Sequence, residues 1–124
     1  MSTSNPRPPE ELEAARQRLA ELRGEVDGLN TELLDLLERR AAIVLEIARA
    51  KRTLGIAPFD PAREEEMLED LERRNPGPLA GEDVRAIFSA VFHACLALQH
   101  RLPEAAAAGA SRYPHPNSAE RTRP

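Results

Sequence analysis

The chain has 124 residues, few aromatic side chains, a single cysteine and a formal net charge of −4. The length predicts one domain, and the negative charge argues against a general nucleic-acid binder, which needs a surplus of lysine and arginine. One cysteine excludes an internal disulfide, and no apolar run is long enough for a membrane span or a signal peptide, so we expect a cytoplasmic protein.

Both ends of the chain are predicted to be disordered. Residues 1–8 and 103–124 hold most of the prolines, together with many small and polar residues, a composition that cannot build a packed core. The predicted folded domain is therefore 9–102. Its length of roughly 90 residues is near the size at which one compact core is marginal.

The first predicted helix begins near Pro8 or Glu10 and continues to about Leu54. Proline and acidic residues suit its first turn, and Gly55 is its stop signal. Its length of about 45 residues is far above the average for globular proteins. A helix this long in a small domain must pack against another long helix, and we expect that helix to be its own copy in a second chain.

An apolar stripe follows one face of this helix in alternating steps of three and four residues. Its apolar members are Leu22, Val26, Leu29, Leu33, Leu36, Val44 and Ile47. Arg40 and Lys51 occupy two further positions of the same stripe, about three turns apart. A single cation there is typical of a side chain that snorkels into water. Two cations on one face favour a site for a bound dianion, because buried charges need partners.

Two shorter helices are predicted to follow. The second has Asp60 as its N-cap, a proline at its first position and an end near Arg74. The segment NPGPLAG is typical of a turn. The third helix is expected to start near Gly81 or Glu82 and to reach about Leu102. No segment reads as a strand, so the predicted fold class is all-α, with three helices in each protomer.

Polar residues on and near these apolar faces form a set rich in hydrogen-bond donors. Arg40, Lys51 and Gln99 are placed against apolar faces, and Arg23 is at the border of the stripe on the first helix. The start of the second helix holds a cluster of Asp60, Arg63 and Glu64. Such a set suits an anionic ligand. No nucleophile with an adjacent base is visible and the three histidines lack metal-ligand spacing, so we expect no metal and no cofactor. The pattern favours catalysis by electrostatics and positioning, or simple binding.

Four ordered segments between Leu19 and Gln99 resemble one enzyme family. They are LRGEVDGLNTELLDLLERR, EIARAK, FDPAREEEML and FSAVFHACLALQ. In this order and with these gaps, they are similar to the all-helical AroQ class of chorismate mutases. The pieces FDPARE and NPGPL resemble most closely the subgroup that is fused to, or works with, DAHP synthase, which makes that enzyme a candidate partner.

The resemblance implies an intertwined homodimer and a reaction, the Claisen rearrangement of chorismate to prephenate in phenylalanine and tyrosine biosynthesis. It assigns Arg23 of one protomer to a substrate carboxylate in the partner's site. Arg40 would pair with the other carboxylate. Lys51 and Gln99 would donate hydrogen bonds to the ether oxygen, where negative charge grows as the C–O bond breaks.

The resemblance also implies supporting roles. Asp60 and Glu64 would lie near the ring hydroxyl, and Arg63 would support the carboxylates. Cys95 stands where many relatives carry a serine that helps to hold a carboxylate. Since a thiol is a weaker donor than a hydroxyl, the equivalent contact is weakened here. The apolar stripe of the third predicted helix is Val84, Ile87, Phe88, Val91, Phe92, Cys95, Leu98 and Leu102, and Gln99 lies one turn beyond Cys95 on its edge. From this stripe alone, Cys95 is expected to be a buried core thiol.

At position 99 some relatives carry glutamate, which must be protonated before it can donate a hydrogen bond. Gln99 needs no added proton. We therefore expect little loss of activity through this residue between about pH 6 and about pH 8. A steep fall in turnover over that range, if traced to position 99 by comparing the wild type with Gln99→Glu, would contradict this expectation.

Three other interpretations remain open from the sequence. The same fold supports isochorismate pyruvate lyase, whose site is equally cationic; the length of the connection before the second helix and the FDPARE likeness favour the mutase. The domain could instead be a regulatory module that binds chorismate or prephenate and docks on DAHP synthase. The third is a structural helical dimer in which the charged stripe residues pair with one another.

Overall fold

A computed structural model describes residues 6–101, which form three α-helices. These are α1 (Pro9–Leu54), α2 (Pro61–Arg74) and α3 (Gly81–His100). Because this part of the chain contains no strand, the all-α, three-helix prediction is confirmed. The predictions for 103–124 and for most of 1–8 fall outside the described residues, as does Leu102, and α3 ends two residues before it.

The end of α1 has the geometry expected for a glycine stop signal. Gly55 has a φ of 71°, a left-handed conformation that glycine adopts without a steric penalty. The Ile56 N–H donates to the Lys51 carbonyl at 2.8 Å and the Gly55 N–H donates to the Arg52 carbonyl at 3.2 Å. This pair of hydrogen bonds is a Schellman motif, and it places Lys51 in the last turn of the helix.

The described residues fall into two compact units, divided between Leu36 and Leu37. In the first unit the apolar stripe of α1 is open to water: Leu22 is 41% exposed, Val26 52% and Leu29 60%. Isolated soluble chains rarely expose a continuous apolar stripe unless it is an interaction surface. The first unit therefore offers a surface that another chain can bury.

The second unit has a small core to which all three helices contribute. Its buried side chains are Val44, Leu45, Ala48, Leu68, Val84, Phe92 and Cys95. Leu45 and Ala48 form a cluster against which Leu98 of α3 packs. None of the described helices is long and apolar enough to cross a membrane.

The two connections in this unit are organised by short polar side chains. The Asp60 carboxylate accepts the Arg63 backbone N–H at 3.0 Å, which confirms it as the N-cap of α2. In the second connection, Asn75 accepts the Gly77 N–H at 3.2 Å and donates to the Leu79 carbonyl at 2.7 Å. The peptide between Gly77 and Pro78 is cis.

Ion pairs join α2 to α3 and also brace the end of α2. Arg85 of α3 contacts Glu65 at 2.9 Å and Glu72 at 2.6 Å. Asp70 contacts Arg73 at 2.6 Å and Arg74 at 2.8 Å. The hydrogen bond from Arg85 holds the pKa of Glu65 below its ordinary value. The hydrogen bond from Arg74 likewise lowers the pKa of Asp70.

We expect these carboxylates to make the folded state sensitive to acid. A carboxylate whose pKa is lowered by folding stabilises the folded state at pH values above the pKa that it has in the unfolded chain. That stabilisation is lost as the pH falls through the lower pKa that the carboxylate has in the folded chain. The thermal midpoint should therefore drop between about pH 5 and about pH 3. Glu65→Gln should have a lower thermal midpoint than the wild type at neutral pH, and its midpoint should fall less as the pH is lowered.

Thermal unfolding followed by circular dichroism would measure both effects. Glu69→Gln, at an exposed carboxylate on the same helix, is the matched control and should follow the wild-type pH profile. If Glu65→Gln lost as much stability in acid as the wild type, the ion pair with Arg85 would not be the source of the acid sensitivity.

Candidate active site

A cleft of about 480 Å³ in the second unit gathers seven of the eight residues predicted for the site. These are Arg40, Lys51, Asp60, Arg63, Glu64, Cys95 and Gln99. The remaining wall contains Ile43, Val44, Ile47, Pro58, Met67, Phe92 and Leu96. The cleft therefore combines charged and amide groups with a largely aliphatic surface, as expected for a small ligand with polar substituents.

Arg40 lies half-buried in this wall and is held by two residues of α3. Its Nη1 donates to the Cys95 Sγ at 3.2 Å, and its Cζ lies 5.0 Å from the centroid of the Phe92 ring. The aromatic face attracts the cation without neutralising it. No carboxylate in the described chain forms an ion pair with Arg40, so its planar fork is available to an anionic ligand.

Lys51 reaches the same cleft from the last turn of α1. Its ammonium donates to the Pro58 carbonyl at 2.9 Å, a contact that fixes the position of the charge. An ammonium has three N–H donors, and the Pro58 carbonyl uses one of them. The side chain is half-buried, so its charge acts in a partly water-excluded environment where electrostatic interactions are stronger than in bulk water.

The start of α2 supplies the other charged groups. Because Asp60 caps the helix through the Arg63 backbone N–H, one of its oxygen atoms is committed to structure. The cap also fixes the first turn, from which Arg63 and Glu64 line the cleft. With Arg40 and Lys51, the cleft holds three cations against two carboxylates, a balance that favours an anionic ligand.

Cys95 and Gln99 lie four residues apart on α3 and therefore share a face. Cys95 is buried, and its sulfur accepts the Arg40 N–H rather than donating. Gln99 is half-buried, and its Oε1 is buried without a hydrogen-bond partner among residues 6–101. Leaving such an atom unpaired costs about 1–3 kcal/mol. A flip of the amide would exchange this acceptor for the Nε2 donor.

Arg23 is the predicted site residue that belongs to the first unit, where its side chain is exposed. Two contributors to the site were not assigned there from the sequence. Phe92 was predicted only as a core residue. Its position about one turn before Cys95, on nearly the same face of α3, could have indicated that it lines the site as well. The Pro58 carbonyl is a backbone group, for which no side-chain pattern exists.

Residues 6–101 contain no cluster of three or more histidine, cysteine or acidic side chains able to hold a metal ion. The donors in the cleft are guanidinium, ammonium and amide groups. The chemistry available to them is to bind carboxylates, orient a flexible ligand and stabilise negative charge as it develops.

Residues 22–100 match the family model described as chorismate mutase type II. The bifunctional chorismate mutase/prephenate dehydratase of Pseudomonas aeruginosa is 37% identical over an alignment of 94 residues, and the match covers 72% of this chain and 26% of that protein. The enzyme of the same name from Aquifex aeolicus is 31% identical over an alignment of 90 residues, and the match covers 69% of this chain and 25% of that protein. The chain thus spans about a quarter of these relatives.

Two solved structures of chorismate mutase from Thermus thermophilus are also similar, each with 46% sequence identity. The Form II structure has a TM-score of 0.67, and the match covers 68% of this chain and 96% of that one. The Form I structure has a TM-score of 0.62, and the match covers 63% of this chain and 98% of that one. This likeness extends over nearly the whole of each solved chain.

Proposed function

Since this chain belongs to the chorismate mutase type II family, we propose that it catalyses the rearrangement of chorismate to prephenate, a step of phenylalanine and tyrosine biosynthesis. The observation that carries the proposal is the cleft that gathers Arg40, Lys51, Arg63 and Gln99. The similarity to Thermus chorismate mutase, of which nearly the whole chain is covered, supports the same reaction.

Chorismate is a dicarboxylate, and its rearrangement breaks one C–O bond and forms one C–C bond within the same molecule. All the electrons and atoms stay in the substrate, so the reaction requires no nucleophile from the protein. The cleft holds the enolpyruvyl side chain folded over the ring, with Arg40 and Arg63 binding carboxylate groups. This conformer brings the reacting carbons together and lowers the entropic part of the barrier.

The rest of the catalysis is electrostatic. As the C–O bond breaks, negative charge grows on the ether oxygen, and Lys51 and Gln99 donate hydrogen bonds to it. These interactions are stronger in the transition state than with the bound substrate, and such a difference raises kcat. Asp60 and Glu64 lie near the ring hydroxyl and orient the ring, and Cys95 acts through the guanidinium of Arg40.

The direct test is the loss of chorismate absorbance in the presence of the purified 124-residue chain. We expect saturable turnover with prephenate as the product. In a parallel reaction with isochorismate, release of pyruvate faster than the rearrangement of chorismate would overturn the mutase assignment in favour of a lyase. Binding of chorismate without turnover would favour the regulatory interpretation.

We further propose that the protein functions as a homodimer in which each site receives Arg23 from the other protomer. Two observations support this arrangement. The stripe around Leu22, Val26 and Leu29 is exposed in the single chain, and Arg23 lies within the same stretch of α1 without an ion pair among the described residues. A second copy would bury the stripe and give the guanidinium an anionic partner.

Mixed dimers would test the exchange of Arg23. Arg23→Ala and Lys51→Ala should each be nearly inactive alone. A mixed dimer contains one site in which both residues are intact, so co-expression should restore about a quarter of wild-type turnover if the subunits assort at random. Light scattering would establish the dimer. Activity of the mixture that only equals the sum of the two separate variants would contradict the shared site.

Association with DAHP synthase is a narrower part of the proposal. Its support is the likeness of FDPARE and NPGPL to the subgroup that works with that enzyme. The relatives from Pseudomonas and Aquifex are instead named for prephenate dehydratase, so the subgroup stays a prediction. An increase in chorismate turnover on adding DAHP synthase would support the association, and unchanged turnover with no complex in light scattering would oppose it.

A further inference from the structure

Arg85 forms an ion-pair network that ties α2 to α3. Its Nη1 and Nη2 donate to the two carboxylate oxygens of Glu65 at 3.0 and 2.9 Å. Its Nε donates to Glu72 at 2.6 Å. We call these three residues the α2–α3 clamp. Arg85 does not line the cleft, so any effect on the reaction must be transmitted through α2.

The helix that the clamp holds is weakly anchored by apolar packing. Leu68 is the one buried residue of α2, and the other residues of this helix are half-buried or exposed. The connections at both of its ends, 55–60 and 75–80, are exposed apart from half-buried Asn75. Yet the first turn of α2 supplies Arg63 and Glu64 to the cleft. A small rotation or slide of α2 would therefore move two site residues together.

The geometry of the clamp opposes both movements. Glu65 follows Glu64 directly, so anchoring its carboxylate fixes the turn that carries the site residues. Glu72 is seven residues further on, about two turns along nearly the same face of the helix. Two anchors on one face restrict the rotation of α2 about its axis and its translation along α3. The guanidinium is planar and pre-organised, so a bidentate pair fixes orientation as well as distance.

Isolated surface ion pairs contribute little to stability, but bidentate arginine pairs that form networks are the exception. The clamp has both properties: 35% of the Arg85 side chain and 32% of the Glu72 side chain are exposed to water, and the more open Glu65, at 52%, is held by two hydrogen bonds from the same guanidinium. The other ion pairs of α2, which join Asp70 to Arg73 and Arg74, lie within that helix. They cannot fix its position against another helix.

We propose that Arg85 is a positioning residue that holds the first turn of α2, and with it Arg63 and Glu64, in the arrangement that binds the substrate. This inference rests on the proposed function. Arg63 and Glu64 contact groups that are present in the substrate and in the transition state alike. Loss of their alignment therefore weakens binding in both states, which raises KM more than it lowers kcat.

Arg85→Met tests the proposal because methionine keeps most of the apolar stem and removes the guanidinium. We expect KM for chorismate to rise about tenfold, with kcat within about threefold of the wild type. Arg85→Lys keeps the charge without the fork and should also raise KM. Arg73→Met, which removes an arginine of α2 outside the clamp, is the matched control and should leave KM unchanged.

Hydrogen exchange of the α2 amides, measured on the same proteins, tests whether the higher KM comes from a loosened α2. Faster exchange confined to α2 in Arg85→Met, together with the higher KM, supports the proposal. A lower thermal midpoint with unchanged KM in the folded variant would overturn it, because the clamp would then serve stability alone. If Arg85→Met does not fold, the isosteric Glu65→Gln takes its place, with a higher KM expected and an unchanged one overturning the proposal.

Failure of the proposed function would be visible separately. If the wild type rearranges no chorismate, that function is wrong whatever the variants do. The hydrogen-exchange measurement then tests by itself whether Arg85 holds α2 in place. Equal exchange of the α2 amides in the wild type and Arg85→Met would overturn it, and faster exchange confined to α2 would retain it as the device that orders this wall of the cleft.

Discussion

Replacing Lys51 by alanine is expected to lower kcat by at least about a hundredfold, which corresponds to about 3 kcal/mol of activation free energy. The ammonium is held in place by the Pro58 carbonyl at 2.9 Å, and Lys51 is half-buried in the cleft that Gln99 also lines. Its interaction with the ether oxygen strengthens as charge develops there. KM should therefore change much less than kcat.

Initial rates of chorismate loss over a range of substrate concentrations would separate the two constants. Arg52→Ala is the matched control, because it removes the neighbouring cation, which is exposed and does not line the cleft. Its rates should equal those of the wild type. A Lys51→Ala variant that retained most of its kcat, or that lost activity only through a higher KM, would rule out the assigned role on the ether oxygen.

Replacing Arg40 by alanine is expected to lower kcat/KM by about a thousandfold, through a higher KM and a lower kcat together. The guanidinium is expected to bind a substrate carboxylate, and such charge-assisted bidentate contacts are among the strongest hydrogen bonds in proteins. The substitution also leaves the Phe92 ring and the Cys95 sulfur without the group that packs on them. The wall of the cleft then loses its shape as well as its charge.

Arg40→Lys distinguishes charge from geometry. Lysine keeps the charge but lacks the planar fork and stacks less well on an aromatic ring, so we expect it to recover only part of the lost kcat/KM. Arg49→Ala, at an exposed position of the same helix, serves as the control for the loss of one positive charge. A KM for Arg40→Ala equal to that of the wild type would show that Arg40 does not bind the substrate.

The helices could be predicted closely because their ends are set by local chemistry. Asp60 followed by proline specifies the start of α2, and Gly55 specifies the end of α1 because it adopts a positive φ at little cost. The end of α3 was predicted less well: it lies at His100, without a glycine to mark it. Helix ends that lack a capping residue leave little trace in the sequence.

Part of the site could also be read from periodicity. Arg40 and Lys51 were recognisable because they interrupt an apolar stripe on one helix, where their spacing puts them on the same face. Cys95 and Gln99 were placed together by the same argument on α3. The spacing within each helix could not show that the two faces line one cleft, or that the first turn of α2 joins them. The family resemblance supplied that expectation, and in the tertiary structure residues from the two faces and from the first turn of α2 line one cleft.

By itself, the sequence determined the helical class, the helix starts and the identity of the charged residues, because these depend on neighbours within about one turn of helix. Only the tertiary structure decided what holds those charges in place. The Phe92 ring beneath Arg40, the Pro58 carbonyl that accepts Lys51 and the fork of Arg85 between Glu65 and Glu72 each join groups on different elements. Their geometry is set by how the helices pack, which helical periodicity does not encode.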